Sequence, residues 1–412
     1  MKLLIFLTMI VLLSARVSGG DRVSGLSLAT RSPVLSMNGM AATSQPLATE
    51  AALEILKKGG NAIDAAIAAN ACLGLMEPTG CGIGGDLFAI VWSEKEQKLL
   101  GYNGSGRSPR SLTLEVLKSE LKSQDLKEIP AHGTLPISVP GCVDGWVSLH
   151  ERLGKLPFDQ VLEPAIRHAR SGFPVSQVIA YYWKISAQVL AGQPGFLETF
   201  TRDGKAPAEG DVWKNPDLAR CYEKIAESGR SGFYSGEIAE KIAAFVQENG
   251  GYLTAEDLSS HQGEWVEPVS TRYRDVDVWQ LPPNGQGLAV LQLLNIMEGY
   301  PVKDWGFGSA DLLHHFIEAK KLVFEDRARD YVDPDFHNVP VRDLISKKRS
   351  EILRSKISSE KAALSIDTGR AQTQDGDTVY LSVSDSDGNM VSLIQSNYRG
   401  IGSGVCPPGL GF

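Results

Sequence analysis

PTGCGIGGDLFAIVW, residues 78–92, is the stretch whose reading decides the fold of this chain. It carries G-x-G-x-x-G at Gly80, Gly82 and Gly85, the spacing of a dinucleotide-binding fingerprint. In that fingerprint a strand runs into the glycine turn and the turn opens a helix, because the pyrophosphate rests on the helix N-terminus. Here the order is reversed. The preceding AIDAAIAANACLGLM, residues 62–76, is almost entirely Ala and aliphatic, so it reads as a helix buried on most of its surface, with Asn61 as its cap. The following Leu87–Trp92 reads as a strand. No helix N-terminus is available to a phosphate, and a nicotinamide oxidoreductase is rejected on element order. The loop becomes a tight turn between a buried helix and a core strand. Asp86 at its exit is assigned a structural place rather than a substrate contact.

Working outward, Met40–Ser44 reads as a short strand. Pro46 opens an amphipathic helix that Gly59-Gly60 ends. Residues 111–260 are mainly helical, and Thr254, three residues before Asp257, marks a helix start. A strand pair is predicted at roughly 264–273 and 276–281, with helices at 288–297 and 312–331. Residues 346–377, charged, Ser-rich and weakly periodic, read as an exposed linker.

Directly after this segment, Thr378–Ser384 alternates strictly: Val379, Leu381 and Val383 face one way, Thr378, Tyr380, Ser382 and Ser384 the other. The return strand, 390–396, places Val391 and Leu393 on one face. Matching the two apolar faces requires an odd-numbered loop, and Ser386-Asp387-Gly388 fits a three-residue hairpin with Gly388 in the left-handed region. Asp385 then pairs with Asn389, and Ser396 falls opposite Thr378. Cleavage of the Asp377–Thr378 bond would give Thr378 a free α-amine. Such an amine titrates near pH ~8 and can take the proton of its own hydroxyl. Thr378 is thus a candidate N-terminal nucleophile and Ser396 its partner, although a Thr at a strand start also has an ordinary structural reading.

Composition narrows the classes further. The 412 residues are 42% hydrophobic and 22% charged with a net charge of −8, which excludes a general affinity for nucleic acid. Met1-Lys2, the apolar run 3–13 and the small-residue tail to Gly20 read as a secretory signal over residues 1–20, the alternative being an uncleaved anchor. Secretion is therefore expected. Five scattered cysteines favour neither a disulfide framework nor a zinc site. His314, His315 and Glu318 share a helix face without a further ligand, so no metal is assigned. Glu325, Asp326, Arg327, Arg329 and Asp330 read as a structural ion-pair network. The chain stops soon after the hairpin, which is expected to leave an unpaired sheet edge, so the sequence reads as truncated.

Assembled, these segments resemble the γ-glutamyltransferase (glutathione hydrolase) family from about residue 33 to the end. The resemblance is carried in order by SQPLATEAALEILKKGGNAIDAAIAA, EPTGCGIGGDLF, SVPGCVDGW, GFYSGEIAEKI, GGYLTAEDL, LPPNGQG, EAKKLVFEDRARDYVDP and DGDTVYLSVSDSDGNMVSLIQSNYRGIGSG. It implies an α/β (α+β) chain, a four-layer αββα N-terminal-nucleophile hydrolase sandwich, incomplete at the C-terminus. It implies a proenzyme whose large-subunit portion is residues 21–377 and whose small subunit starts at Thr378. The implied nucleophile is Thr378, steadied by Ser396, acting on a γ-glutamyl amide with water or an amino acid as acceptor and with no cofactor. The partners implied are the small-molecule substrate and the cleaved small subunit. The family's carboxylate-holding Arg corresponds to Arg107, here two residues before Pro109 rather than four. The family's Asn beyond the second Thr aligns with Tyr398, leaving Asn397 one residue early and on the opposite face of a regular strand. These departures keep two alternatives open: an acylase for another dicarboxylic acyl group such as glutaryl, or an inactive truncated relative.

Overall fold

The computed structural model describes residues 33–363 and 377–412. The signal expected at residues 1–20 and the stretch 364–376 of the expected linker lie outside the described residues. The chain divides into two units, Met1–Met37 and Asn38–Phe412. Of the first, residues 33–37 carry no regular structure.

The second unit is organised by one antiparallel sheet of six strands. In chain order these are β1 (Gly39–Ala42), β2 (Asp86–Ser93), β3 (Lys98–Asn103), β6 (Glu264–Val266), β9 (Val379–Asp385) and β10 (Met390–Ser396), after counting two small ribbons. Those ribbons pair β4 (Phe173–Pro174) with β5 (Val212–Trp213) and β7 (Val269–Tyr273) with β8 (Val276–Gln280). The order across the main sheet is β1-β9-β10-β2-β3-β6. The hairpin β9–β10 is therefore inserted at the centre, between β1 and β2, and the expected unpaired hairpin edge is corrected. Both its outer sides are hydrogen-bonded, and the sheet's edges are β1 and β6.

The segment expected as one strand over 264–273 is two strands in different sheets. Pro268 explains the break, since it lacks the N–H that a ladder needs.

One sheet face is apolar and covered. Leu87, Ala89, Val91, Leu381, Val383, Val391 and Leu393 are buried there with α1 (Pro46–Lys57) and α2 (Ala62–Met76) in one core. Nearly every residue of α2 is buried, as the all-round apolar sequence requires. Its start is fixed by a capping box, in which Asn61 Oδ1 accepts from the Asp64 amide and the Asp64 carboxylate accepts from the Asn61 amide. Thr254 and Asp257 form the same box where the sequence placed a helix start. The other sheet face carries Tyr380, Met390 and Ile394, exposed by 55%, 57% and 42%. The helix layer on the apolar face of the main sheet is one part of the implied sandwich, and the β7–β8 ribbon packs on further helices through Val269, Val278, Leu288 and Leu291.

A second, smaller core joins α3 (Gly287–Met297), α4 (Ala310–Asp330) and α5 (Lys347–Arg354). The last helix corrects the reading of 346–377 as linker from its first residue. Ser346 caps it and Leu353 is buried. Arg349 reaches the buried Asp326 carboxylate, with Nε 3.0 Å from Oδ2. Asp326 also takes Arg329 at 2.7 Å and the Gln292 amide at 2.8 Å, so the expected ion-pair network is structural and centred on one aspartate. His315 packs against Tyr300 and Trp305, and Glu318 pairs with Lys321. All five cysteines are free and buried.

Candidate active site

The hairpin loop is built as its length requires. Gly388 has φ +98°, and the Asp385 amide donates to the Asn389 carbonyl at 3.1 Å. The register runs Ser384 to Met390 through Val379 to Gln395, which sets Thr378 against Ser396. Their hydroxyl oxygens are 3.0 Å apart.

Ser396 Oγ has further partners. It donates to the Asp377 carbonyl oxygen at 2.8 Å and accepts from the Tyr398 amide at 2.8 Å. A serine hydroxyl has one proton, and the carbonyl takes it, so in the Thr378–Ser396 bond Thr378 must be the donor. The chain Thr378 O–H, Ser396 O–H, Asp377 C=O is a directed relay from a hydroxyl to the carbonyl of the bond preceding it. Asp377 is held at both ends: its amide donates to the Tyr398 carbonyl at 3.0 Å, and its Oδ1 accepts from the Thr378 amide at 2.9 Å. Tyr398, at φ +76°, is a non-glycine residue in the left-handed region, a conformation that costs about 1–3 kcal/mol and persists only where surroundings impose it.

The glycine loop is the saddle on which this end of β10 sits. The Asn397 amide donates to the Gly80 carbonyl at 3.3 Å. Gln395 clamps Gly82 on both sides, accepting from its amide at 3.0 Å and donating to its carbonyl at 2.8 Å. A Cβ on Gly85 would overlap the Ser396 carbonyl oxygen and stand 2.5 Å from Asn397 Oδ1. These glycines exist for close backbone approach rather than for a phosphate.

The Asn397 side chain is wedged against Gly82 and Gly85, with Oδ1 buried and without a donor. It lies beside the Thr378–Ser396 pair but is not hydrogen-bonded to it.

Asp86 completes a row across the sheet. It pairs in register with Ser396, so Thr378, Ser396 and Asp86 occupy successive strands at one level, and directly opposed side chains share a face. Asp86, Ser396, Asn397 and Tyr398 line one cavity together with the glycine loop. Among the described residues no hydrogen bond from another residue and no ion pair engages the Asp86 carboxylate. Burial pushes that carboxyl up to about 6, its own backbone amide opposing the shift. Glu77, below the same loop, is 8% exposed and accepts from Ser44 at 2.6 Å. Its carboxyl is raised chiefly by burial, and nearby Asp377 adds to the rise.

The Asp86 shift has a consequence for stability. The carboxyl titrates near 3.8 unfolded and about 6 folded, so the folded chain binds the proton more tightly. Stability is greatest with both states protonated and falls as pH rises from about 4 to about 6. Asp86→Asn should therefore stabilise the chain by up to about 3 kcal/mol above about pH 7, a gain that shrinks toward zero near about pH 4. Urea unfolding at the two pH values measures this, and equal effects at both would contradict it.

Arg107 lies beyond the end of β3, two strands from Ser396. Its Nε is 3.2 Å from Asp333 Oδ2 and its Nη2 bonds Asp335, with the guanidinium over the Phe336 ring at 5.6 Å. It is engaged by two carboxylates and is not among the cavity's lining residues. Arg399, over the Tyr398 ring at 5.6 Å, has no ion pair among the described residues, and its Nε is buried without an acceptor.

Sequence reasoning thus reached Thr378 and Ser396 but missed Asp377, Gln395 and Tyr398 and gave Asp86 no part. One signal was available: Gln395 stands on the apolar side of the 391–393–395 alternation, where a polar side chain needs a buried partner.

Residues 48–412 match a family model described as Gamma-glutamyltranspeptidase. The chain is 40% identical over 360 residues to the glutathione hydrolase-like YwrD proenzyme of Bacillus subtilis, covering 87% of this chain and 66% of that one. It is 33% identical over 379 residues to the glutathione hydrolase proenzyme of Escherichia coli, covering 90% and 65%. The crystal structure of cephalosporin acylase from Bacillus halodurans superimposes with a TM-score of 0.83 at 42% identity, over 95% of this chain and 72% of that one. The chain thus spans about two thirds of the length of these two curated relatives. The family model over residues 48–412 and these identities show that the chain belongs to the gamma-glutamyltranspeptidase family.

Proposed function

We propose that this protein is a self-processing N-terminal-threonine amidohydrolase that cuts itself before Thr378 and then transfers acyl groups from γ-glutamyl amides to water or an amino acid. The observation that carries the reading is the directed relay from Thr378 through Ser396 to the Asp377 carbonyl oxygen.

The chemistry follows from that relay. Thr378 Oγ1 attacks the Asp377 carbonyl carbon while its proton passes to Ser396 and the Ser396 proton passes to the carbonyl oxygen. The C–N bond then breaks, nitrogen takes the proton from that oxygen, and an ester joins Asp377 to Thr378 Oγ1. Water opens the ester, leaving the Asp377 carboxyl and a Thr378 that carries both hydroxyl and α-amine. The new amine, titrating near pH ~8, serves as base for the same hydroxyl when it attacks a substrate amide. Processing should leave the two pieces associated, because β9 and β10 lie between β1 and β2 in the sheet. The leader at residues 1–20 supports export of the protein.

A second reading is an acylase for a glutaryl-type donor. It is favoured by the engagement of Arg107 with Asp333 and Asp335, which leaves that arginine less available to an α-carboxylate, and by the likeness to a cephalosporin acylase.

Intact mass spectrometry of the purified protein tests self-cleavage: a fragment beginning at Thr378 is expected. Ser396→Ala should slow its appearance by about 10²–10³, the usual effect of removing a donor to a developing oxyanion. An uncut wild-type chain would sink the reading.

A further inference from the structure

Attack by Thr378 leaves the proton that the departing nitrogen needs on an oxygen of the same carbon. Passed straight across, it would travel around a four-membered ring, far from the line a hydrogen bond requires, since such bonds weaken steeply below about 120°. A carrier that reaches the nitrogen is therefore needed. Ser396 does not reach it: its partners are the Thr378 hydroxyl, the Asp377 carbonyl oxygen and the Tyr398 amide.

The group on that nitrogen is the Asp377 side chain, whose Oδ1 accepts from the Thr378 amide at 2.9 Å. Among the described residues this is the one hydrogen bond the carboxylate makes. Its place is fixed by the backbone bond to Tyr398 and by the glycine loop beneath it, where a Cβ on Gly80 would stand 3.8 Å from Asp377 Cγ. The other carboxylates at this end of the sheet are placed elsewhere. Glu77 accepts from Ser44, and Asp86 stands on the far side of Ser396.

We infer that Asp377 is a catalytic residue for the cleavage of its own peptide bond, its side-chain carboxylate carrying the proton from the adduct's hydroxyl to the Thr378 nitrogen. This rests on the self-processing reading above. The step balances. Attack joins Thr378 Oγ1 to the Asp377 carbonyl carbon and, through Ser396, leaves a hydroxyl on that carbon. The Asp377 carboxylate takes the hydroxyl proton as the C=O bond re-forms. It gives a proton to nitrogen as the C–N bond breaks and its electron pair moves there. The products are the ester, a primary amine on Thr378, and an Asp377 carboxylate ionised as it began.

Asp377→Asn tests the step, because it keeps an oxygen that can accept from the Thr378 amide and loses the capacity to carry a proton. Wild type and variant are made by cell-free synthesis and followed by intact mass, with and without neutral hydroxylamine, which opens esters. The fragment beginning at Thr378 should appear at least about 100-fold more slowly in the variant, the lower end of general acid–base effects. Hydroxylamine should leave the variant slow, since the ester has not formed. The urea midpoint, measured in a Thr378→Ala background so that every chain is uncut, should not change. Equal cutting rates overturn the assignment. A slow variant restored by hydroxylamine overturns it too, moving Asp377 to the opening of the ester. A slow variant with a lowered urea midpoint makes the side chain structural and has the same effect. A wild type that stays uncut fails the self-processing reading itself, before any comparison with the variant.

Discussion

Thr378→Ala leaves the Asp377–Thr378 bond intact. Wild type incubated under the same conditions accumulates a fragment with Thr378 at its N-terminus; the variant remains one chain by intact mass. The size of this effect follows from geometry. Ser396 Oγ is hydrogen-bonded to the Asp377 carbonyl oxygen, not aimed at its carbon, so it cannot replace the missing hydroxyl. Thr378 is exposed, and removing its hydroxyl empties no core space, so the variant should fold as wild type does. Cutting at the same bond in the variant would show that an external protease, and not Thr378, breaks it. Thr378→Ser retains the nucleophile and should still cut, which separates loss of chemistry from loss of shape.

Gly85→Ala should be the most disruptive single-methyl change near the site, destabilising by at least about 3 kcal/mol and suppressing self-cleavage along with stability. The added Cβ would overlap the Ser396 carbonyl oxygen and crowd Asn397 Oδ1 at 2.5 Å and Gln395 Nε2 at 2.8 Å. The first of these is backbone in the middle of a six-stranded sheet and cannot move without shifting β10, and Ser396 with it. Gly84→Ala is the control. One residue away, its Cβ would meet only the Phe412 ring at 3.4 Å, an ordinary contact. Urea midpoints and cleavage rates for the pair measure both effects, and similar values for the two variants would refute the saddle role of Gly85.

The legible parts of the site were those encoded over short distances. The alternation of Val379, Leu381 and Val383 against Val391 and Leu393, with a three-residue loop, is enough to bring Thr378 opposite Ser396, and the bond observed between them is 3.0 Å. Helix caps at Asn61 and Thr254 were readable for the same reason, since each box closes within three residues. The segment 346–354 was misread because its helix is charged along most of its length. It is held by Arg349 reaching Asp326 on another helix, a pairing that no local periodicity records.

By itself, then, the sequence determined the order of elements, the hairpin register and the pairing of Thr378 with Ser396, because period-two alternation and loop length leave no other pairing of the two apolar faces. The tertiary structure alone decided what stands beside that pair. It put the hairpin at the sheet's centre and brought Asp86 into the row next to Ser396. It bent Asp377 back onto Tyr398 and turned Arg107 toward Asp333 and Asp335. The physical reason is that a strand's own pattern specifies which face each side chain takes, whereas its neighbour across the sheet is chosen by the packing of the whole core, among residues hundreds of positions away.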